Sequence, residues 1–248
     1  MAFDNTKQLK YYDGAQWVDV FGVAPGEDTI VSHPTLGVGL SSYYKADNDA
    51  TDAHGSNDGT FTPATYATGI INNGFDLDGV NDRMQVADAG DFTFGSTSDD
   101  FSISGWFQFN NLSQNNTVFD KRDNNNDGWV LIWLQSTQKF GFFMDATDSF
   151  SVANAVTDTN LHHVLVTVDR TGAGLVTIYI DGVDVSLTQP SVASEELSVT
   201  TDFSIGMDAY ATSNQTDGVI DEVAIWSKVL TQAEVTDLYN SGAGLPYN

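Results

Sequence analysis

This sequence predicts an all-β fold: two antiparallel sheets packed face to face as a sandwich, closed by one short C-terminal helix. Three observations carry that reading. Apolar and polar residues alternate in a series of short runs, Asp, Asn and Gly fill the returns between the runs, and the single stretch with helical spacing lies at the end of the chain. The 248 residues are 41% apolar and 12% aromatic, enough to fill a core of that size, which excludes disorder and coiled coil.

Residues 1–32 differ in texture from residues 33–248 and read as a hairpin and linker ahead of one domain. Leu9 to Tyr12 and Trp17 to Phe21 flank Asp13-Gly14, a pair suited to a tight turn because Gly tolerates positive φ and Asp bonds back to the backbone. Pro25-Gly26 follows as a linker. Two short strands bury little alone, so Tyr11, Tyr12, Trp17 and Phe21 form a docking element that needs cover from the main domain, another copy of the chain or a larger assembly. Residues 33–74 are looser. The polar stretch Asp47 to Gly59, holding Asp47, Asp49, Asp52, His54, Asn57 and Asp58, reads as a long loop or a metal-bearing one.

From about residue 75 the pattern is β. Phe101, Ile103, Gly105, Phe107 and Phe109 alternate with Ser102, Ser104, Trp106 and Gln108, so the Phe/Ile series shares one face. Trp129 to Leu134, Phe140 to Met144, His163 to Val168 and Val176 to Ile180 are similar, and Asp181-Gly182 supplies a turn before Val183 and Val185 resume the alternation. Thr231 and Glu234 form a capping box, Leu230 and Val235 a hydrophobic staple, and Val235, Leu238 and Tyr239 lie on one helical face.

Charge and cysteine content narrow the chemistry. The 34 acids, 29 of them Asp, face nine Lys plus Arg for a net charge of -25, which argues against a nucleic-acid partner. The absence of cysteine excludes disulfides, thiolate nucleophiles and sulfur-ligated zinc, and leaves the compartment open. The stretch MAFDNTKQLKYYDG lacks the features of a secretory signal, and no window approaches the roughly 18 apolar residues of a spanning helix, so membrane insertion is not expected.

Several runs resemble one family. These are Gly74-Phe-Asp-Leu-Asp-Gly-Val-Asn-Asp82, Phe101-Ser-Ile-Ser-Gly-Trp-Phe107, Val118-Phe-Asp-Lys121 with Gly128-Trp129, and Leu161-His-His-Val-Leu-Val-Thr-Val-Asp169. Ile178-Tyr-Ile-Asp-Gly182, Phe203-Ser-Ile-Gly206, Gly218-Val-Ile-Asp-Glu-Val-Ala-Ile-Trp226 and Leu230-Thr-Gln-Ala-Glu-Val-Thr-Asp-Leu-Tyr239 continue the series. Together they resemble the laminin-G-like, concanavalin-A-like jelly-roll family over residues 36–240. The resemblance implies a jelly roll, and leaves adhesion, sugar binding, structural and catalytic roles open.

Calcium wants six to eight oxygens, and this chain has carboxylates in excess with few competing ligands. The resemblance implies Asp221 as a calcium ligand, with Asp47, Asp52 and Asp82 as contributors; the alternative is that these carboxylates accept backbone hydrogen bonds at turns. The Asp120 to Asp127 run lacks the Glu and flanking helices of an EF-hand and reads as a hairpin tip. His162 and His163 point to opposite faces of a strand and cannot form a two-histidine metal face. No paired-carboxylate strand signature of a glycoside hydrolase and no Gly-rich phosphate loop occurs, so no enzyme is expected.

For ligand binding, an aromatic ring stacked on a sugar with Asp or Asn for its hydroxyls points to Trp129, Tyr210 and Asn214, provided they are exposed, with residues 208–217 as the rim loop. Asn111, Asn115 and Asn214 also stand in Asn-x-Ser/Thr triplets. Tyr-Tyr-Asp-Gly-Ala-Gln-Trp-Val-Asp-Val near the start resembles leaders of tailed-bacteriophage fibre and decoration proteins. The expectation is therefore a non-enzymatic virion surface protein, docked to a capsid or tail protein or to copies of itself and touching a host glycan. The alternative is an extracellular or cell-surface carbohydrate-binding or adhesion module, with a glycoside hydrolase third.

Overall fold

A computed structural model describes residues 35–246 except 64, 89, 93, 95–98, 146, 188–196 and 212, together with three short strands near the start. The chain divides into two compact units, Met1–Ser32 and His33–Asn248. In the first, β1 (Ala2–Phe3), β2 (Leu9–Tyr12) and β3 (Trp17–Asp19) form an antiparallel sheet in that order, with Tyr11 opposite Val18 and Tyr12 opposite Trp17. Phe21, and the side chains of Tyr11, Tyr12 and Trp17 on which docking depends, lie outside the described residues.

The second unit contains β4 (Leu40–Tyr44), β5 (Gly59–Thr62), β6 (Tyr66–Thr68), β7 (Asn73–Asp78), β8 (Arg83–Val86), β9 (Phe101–Phe109), β10 (Asn116–Arg122) and β11 (Gly128–Leu134). They are followed by β12 (Lys139–Met144), β13 (Thr147–Phe150), β14 (His162–Asp169), β15 (Leu175–Ile180), β16 (Val183–Asp184), β17 (Phe203–Ile205), β18 (Asp217–Trp226) and α1 (Gln232–Tyr239). Among the described residues the strands make two antiparallel sheets. One is seven-stranded, in the order β13-β12-β11-β10-β17-β8-β5; the other runs β16-β15-β14-β9-β18-β7-β6, with β4 also paired to β18. No helix among the described residues is long and apolar enough to cross a membrane.

Strand alternation builds the core between the sheets. Phe101, Ile103, Phe107 and Phe109 of β9 meet Trp129, Leu131 and Trp133 of β11 and Phe140, Phe142 and Met144 of β12 in one buried cluster. Trp129, expected as a sugar platform, is a core residue instead. It is 0% exposed, its rings lie among Phe94, Phe101, Phe142 and Phe203, and its indole N–H donates to the Phe92 carbonyl. The inward register of β11 leaves it no face for a saccharide. Trp106, Trp133 and Trp226 are buried too.

The other face of the second sheet is covered by α1. Thr231 accepts the Glu234 amide, Glu234 accepts the Thr231 amide, and Val235 and Leu238 join Leu40, Tyr43, Leu165, Trp226 and Leu230 in a second apolar cluster. Tyr239 stacks on Trp106 at 5.9 Å. Because both faces are covered, β9 is buried along nearly its whole length. Strands β5 and β6 fall in the stretch that reads as loose in sequence. Each is short, and Phe61 is the only buried residue of β5, so alternation has nothing to register there.

Candidate functional site

The described part of the loop from Met207 to Thr216 is gathered around one carboxylate. Asp208 Oδ1 accepts Thr117 Oγ1 at 3.0 Å and Arg122 Nη2 at 3.4 Å, while Oδ2 accepts Ser213 Oγ at 2.6 Å and Asn214 Nδ2 at 2.9 Å. Thr216 Oγ1 donates to the Thr117 carbonyl, and the Thr117 amide donates to the Asn214 carbonyl, pinning the loop to β10. Facing it, Asn115 Nδ2 donates to Asn214 Oδ1 at 3.2 Å and Asn115 Oδ1 accepts the Gln135 amide at 3.1 Å.

Between these groups lies a cleft of about 260 Å³ lined by Gly79, Gln114, Asn115, Gln135, Asn214 and Gln215. Every lining side chain is a carboxamide, and a carboxamide offers two donors and an acceptor in one plane. The Gln135 side chain has no protein partner among the described residues, and Gln114, Asn115 and Asn214 keep hydrogen-bonding capacity beyond the bonds described. The sequence-predicted Asn214 sits in the cleft wall. Tyr210, on the same loop, is 41% exposed; its hydroxyl donates to Asn126 Oδ1 at 3.1 Å and the Arg122 guanidinium covers its ring at 5.7 Å. Gln114, Asn115, Gln135 and Gln215 escape sequence reasoning. The adjacent pairs Gln114-Asn115 and Asn214-Gln215 were the available signal, but their convergence depends on pairing between distant strands.

Asp120 and Asp208 share Arg122, with Asp120 Oδ2 at 2.8 Å from Nη2. Burial pushes the Asp120 carboxyl up to about 6 against the opposing pull of Arg122. Asp120 is fully buried, so this pair of carboxylates is shut away from any substrate.

The four expected calcium ligands do not converge on one point. Asp52 accepts the amides of Tyr43, His54, Gly55 and Asn57 and the Ser42 hydroxyl; burial raises its pKa, but these bonds together outweigh burial and hold it below the usual carboxylate value. Asp82 accepts the Asp78 amide through one oxygen, its other oxygen is buried without a partner, and burial raises its pKa. Asp47 and Asp221 act on one turn: Asp47 takes Asn72 Nδ2 and the Asn73 amide, and Asp221 takes the amides of Ile70 and Ile71. Burial raises Asp221 to about 7. Its neighbour Glu222 is pushed up to about 9 by burial and then by the Asp221 charge; Tyr43 donates to one of its oxygens and the other is buried without a partner. Among the described residues, no three His, Asp or Glu side chains come together as a metal cluster.

Residues 78–236 match the family model described as the concanavalin A-like lectin/glucanases superfamily. No curated protein matches the chain. Among solved structures, domain 4 of AbnA, an extracellular arabinanase from Geobacillus stearothermophilus, in complex with arabinotriose, is similar at TM-score 0.61 and 21% identity, covering 80% of this chain and 97% of that one. A structure of botulinum neurotoxin type C, whose cell entry depends on interaction with two ganglioside molecules, is similar at TM-score 0.65 and 18% identity, covering 85% of this chain. Trypanosoma rangeli sialidase is similar at TM-score 0.62 and 16% identity, covering 83% of this chain. The chain spans 53% of the neurotoxin chain and 33% of the sialidase chain. At these identities the likeness is one of fold.

Proposed function

The chain belongs to the concanavalin A-like lectin/glucanases superfamily, and on that premise we propose that it is a non-enzymatic carbohydrate-binding module acting outside the cell or at a cell surface. The observation that carries this is the carboxamide cleft. Sugar hydroxyls both donate and accept, and Gln114, Asn115, Gln135, Asn214 and Gln215 match that dual character with neutral groups held by the Asp208 network. The solved relatives in complex with arabinotriose or dependent on gangliosides support the reading. The virion placement suggested by the N-terminal motif gains no support from these relatives, and the adhesion alternative is the stronger one. Burial of the Asp120 carboxyl speaks against hydrolysis at the Asp120–Asp208 pair.

A glycan array probed with the full chain tests the proposal. Binding to at least one oligosaccharide is expected, with Gln135→Ala weakening it about fivefold or more, the value of a lost hydrogen bond of about 1 kcal/mol. Retention of no glycan, or equal retention by the variant, overturns it.

Asp47 and Asp221 clamp the turn at 70–73, and the Asp47 charge adds to the raised pKa values of Asp221 and Glu222. We propose that a divalent cation at this turn, rather than at Asp52 or Asp82, would relieve that repulsion. A calcium-dependent rise in melting temperature that vanishes in Asp47→Asn is expected; an unchanged melt with calcium and with chelator rules it out.

A further inference from the structure

A second recess, of about 350 Å³, opens on the outer face of the seven-stranded sheet, lined by Thr60, Thr62, Asn81, Arg83, Gln85 and Met207. Its floor follows from strand alternation. Phe61, Met84 and Val86 turn into the core, so Thr60, Thr62, Arg83 and Gln85 share the opposite face, with Thr62 opposite Arg83 and Thr60 opposite Gln85. The turn containing Gly79 and Asn81 separates this recess from the carboxamide cleft, contributing one residue to each.

In a chain with 34 acids and nine basic residues, none of these six lining residues is acidic. The two other arginines are committed to the protein: Arg122 to Asp120 and Asp208, and Arg170 to the Phe94 carbonyl. Arg83 has no such partner among the described residues. Its sequence neighbour Asp82 is buried and turned to the Asp78 amide. Ser204 lies directly opposite Gln85 on the next strand and is buried with an unpartnered Oγ. A guanidinium left unpaired in a recess lined by hydroxyls and amides, inside a strongly acidic protein, has the chemistry to receive an anion carried on a polar scaffold.

We propose that this recess binds an acidic saccharide, one bearing a carboxylate or sulfate. Arg83 receives the acid group through its planar fork of donors, and Thr60, Thr62, Asn81 and Gln85 serve the ring hydroxyls. This deepens the carbohydrate-binding reading and rests on it. The net charge of -25 does not oppose it at close range, because charges beyond about 10 Å are largely screened at 0.1 M salt.

The test uses the full chain on immobilised uronate-, sialate- and sulfate-bearing oligosaccharides, each beside its neutral parent. The expected result is one acidic class held at least about tenfold more tightly than its parent, the range of a charge-assisted hydrogen bond. Arg83→Gln erases that margin and Arg83→Lys, which keeps the charge without the fork, restores part of it. Equal retention of acidic and neutral sugars, or an undiminished margin in Arg83→Gln, overturns the acidic site. If neutral sugars are then still bound and lost in Gln135→Ala, the broader carbohydrate reading stands without it. Retention of neither kind overturns both.

Discussion

Glu222 shows most sharply what burial does to a single residue. Its folded carboxyl sits at about 9 against an ordinary 4.5, so it is neutral through most of the usable pH range. A raised folded value means that the group's contribution is complete below about 4.5 and is lost as pH rises toward about 9. His163 works in the opposite sense. Burial lowers it from 6.5 to about 4, so its neutral form supports the fold above 6.5 and that support is lost as pH falls toward 4. Thermal melting should fall between pH 6.5 and pH 9, and Glu222→Gln should flatten that slope; an unchanged slope would show that Glu222 is not the titrating group. Trp129→Ala should cost about 3–5 kcal/mol in denaturant unfolding as a core cavity, whereas a surface platform would cost little. Residue type made Asp221 and Asp52 conspicuous in the sequence. Their hydrogen-bond partners were not legible there, because Ile70 and Ile71 stand about 150 positions from Asp221.

Among the elements, α1 was the most legible, since its capping box, staple and apolar face all lie within ten residues of sequence. Thr231→Ala should lower stability by about 1 kcal/mol, checked by denaturant titration. The long strands were legible for the same reason: Phe101 to Phe109 and Trp129 to Leu134 carry their alternation in one run. Strand β18 holds a feature that alternation hides. Glu222 has φ 51 and the register with β9 shifts between Asp221 and Ala224, which places two adjacent acids in a bulge inside a continuous apolar strand. The cleft was illegible at this scale because Asn115 precedes β10, Gln135 follows β11 and Asn214 follows β17, and only the pairing of β10 with both β11 and β17 brings them together.

For the molecule as a whole, the fold class followed from composition and periodicity, but the disposition of charge did not. Carboxylates such as Asp52, Asp169 and Asp208 organise turns by accepting amides and hydroxyls, while both recesses are free of acids. The uncompensated remainder should repel itself across the surface, so moving from low to moderate sodium chloride should raise the melting temperature, with most of the gain in the first few tenths molar. A melt insensitive to salt would contradict this. The burial of Trp106, Trp129, Trp133 and Trp226 has an optical consequence. The sandwich should emit at short wavelength, shift strongly to the red on unfolding, and barely respond when a sugar occupies either recess. Intrinsic fluorescence of this unit is thus a gauge of integrity, and ligand occupancy has to be read by heat, mass or a label on the glycan.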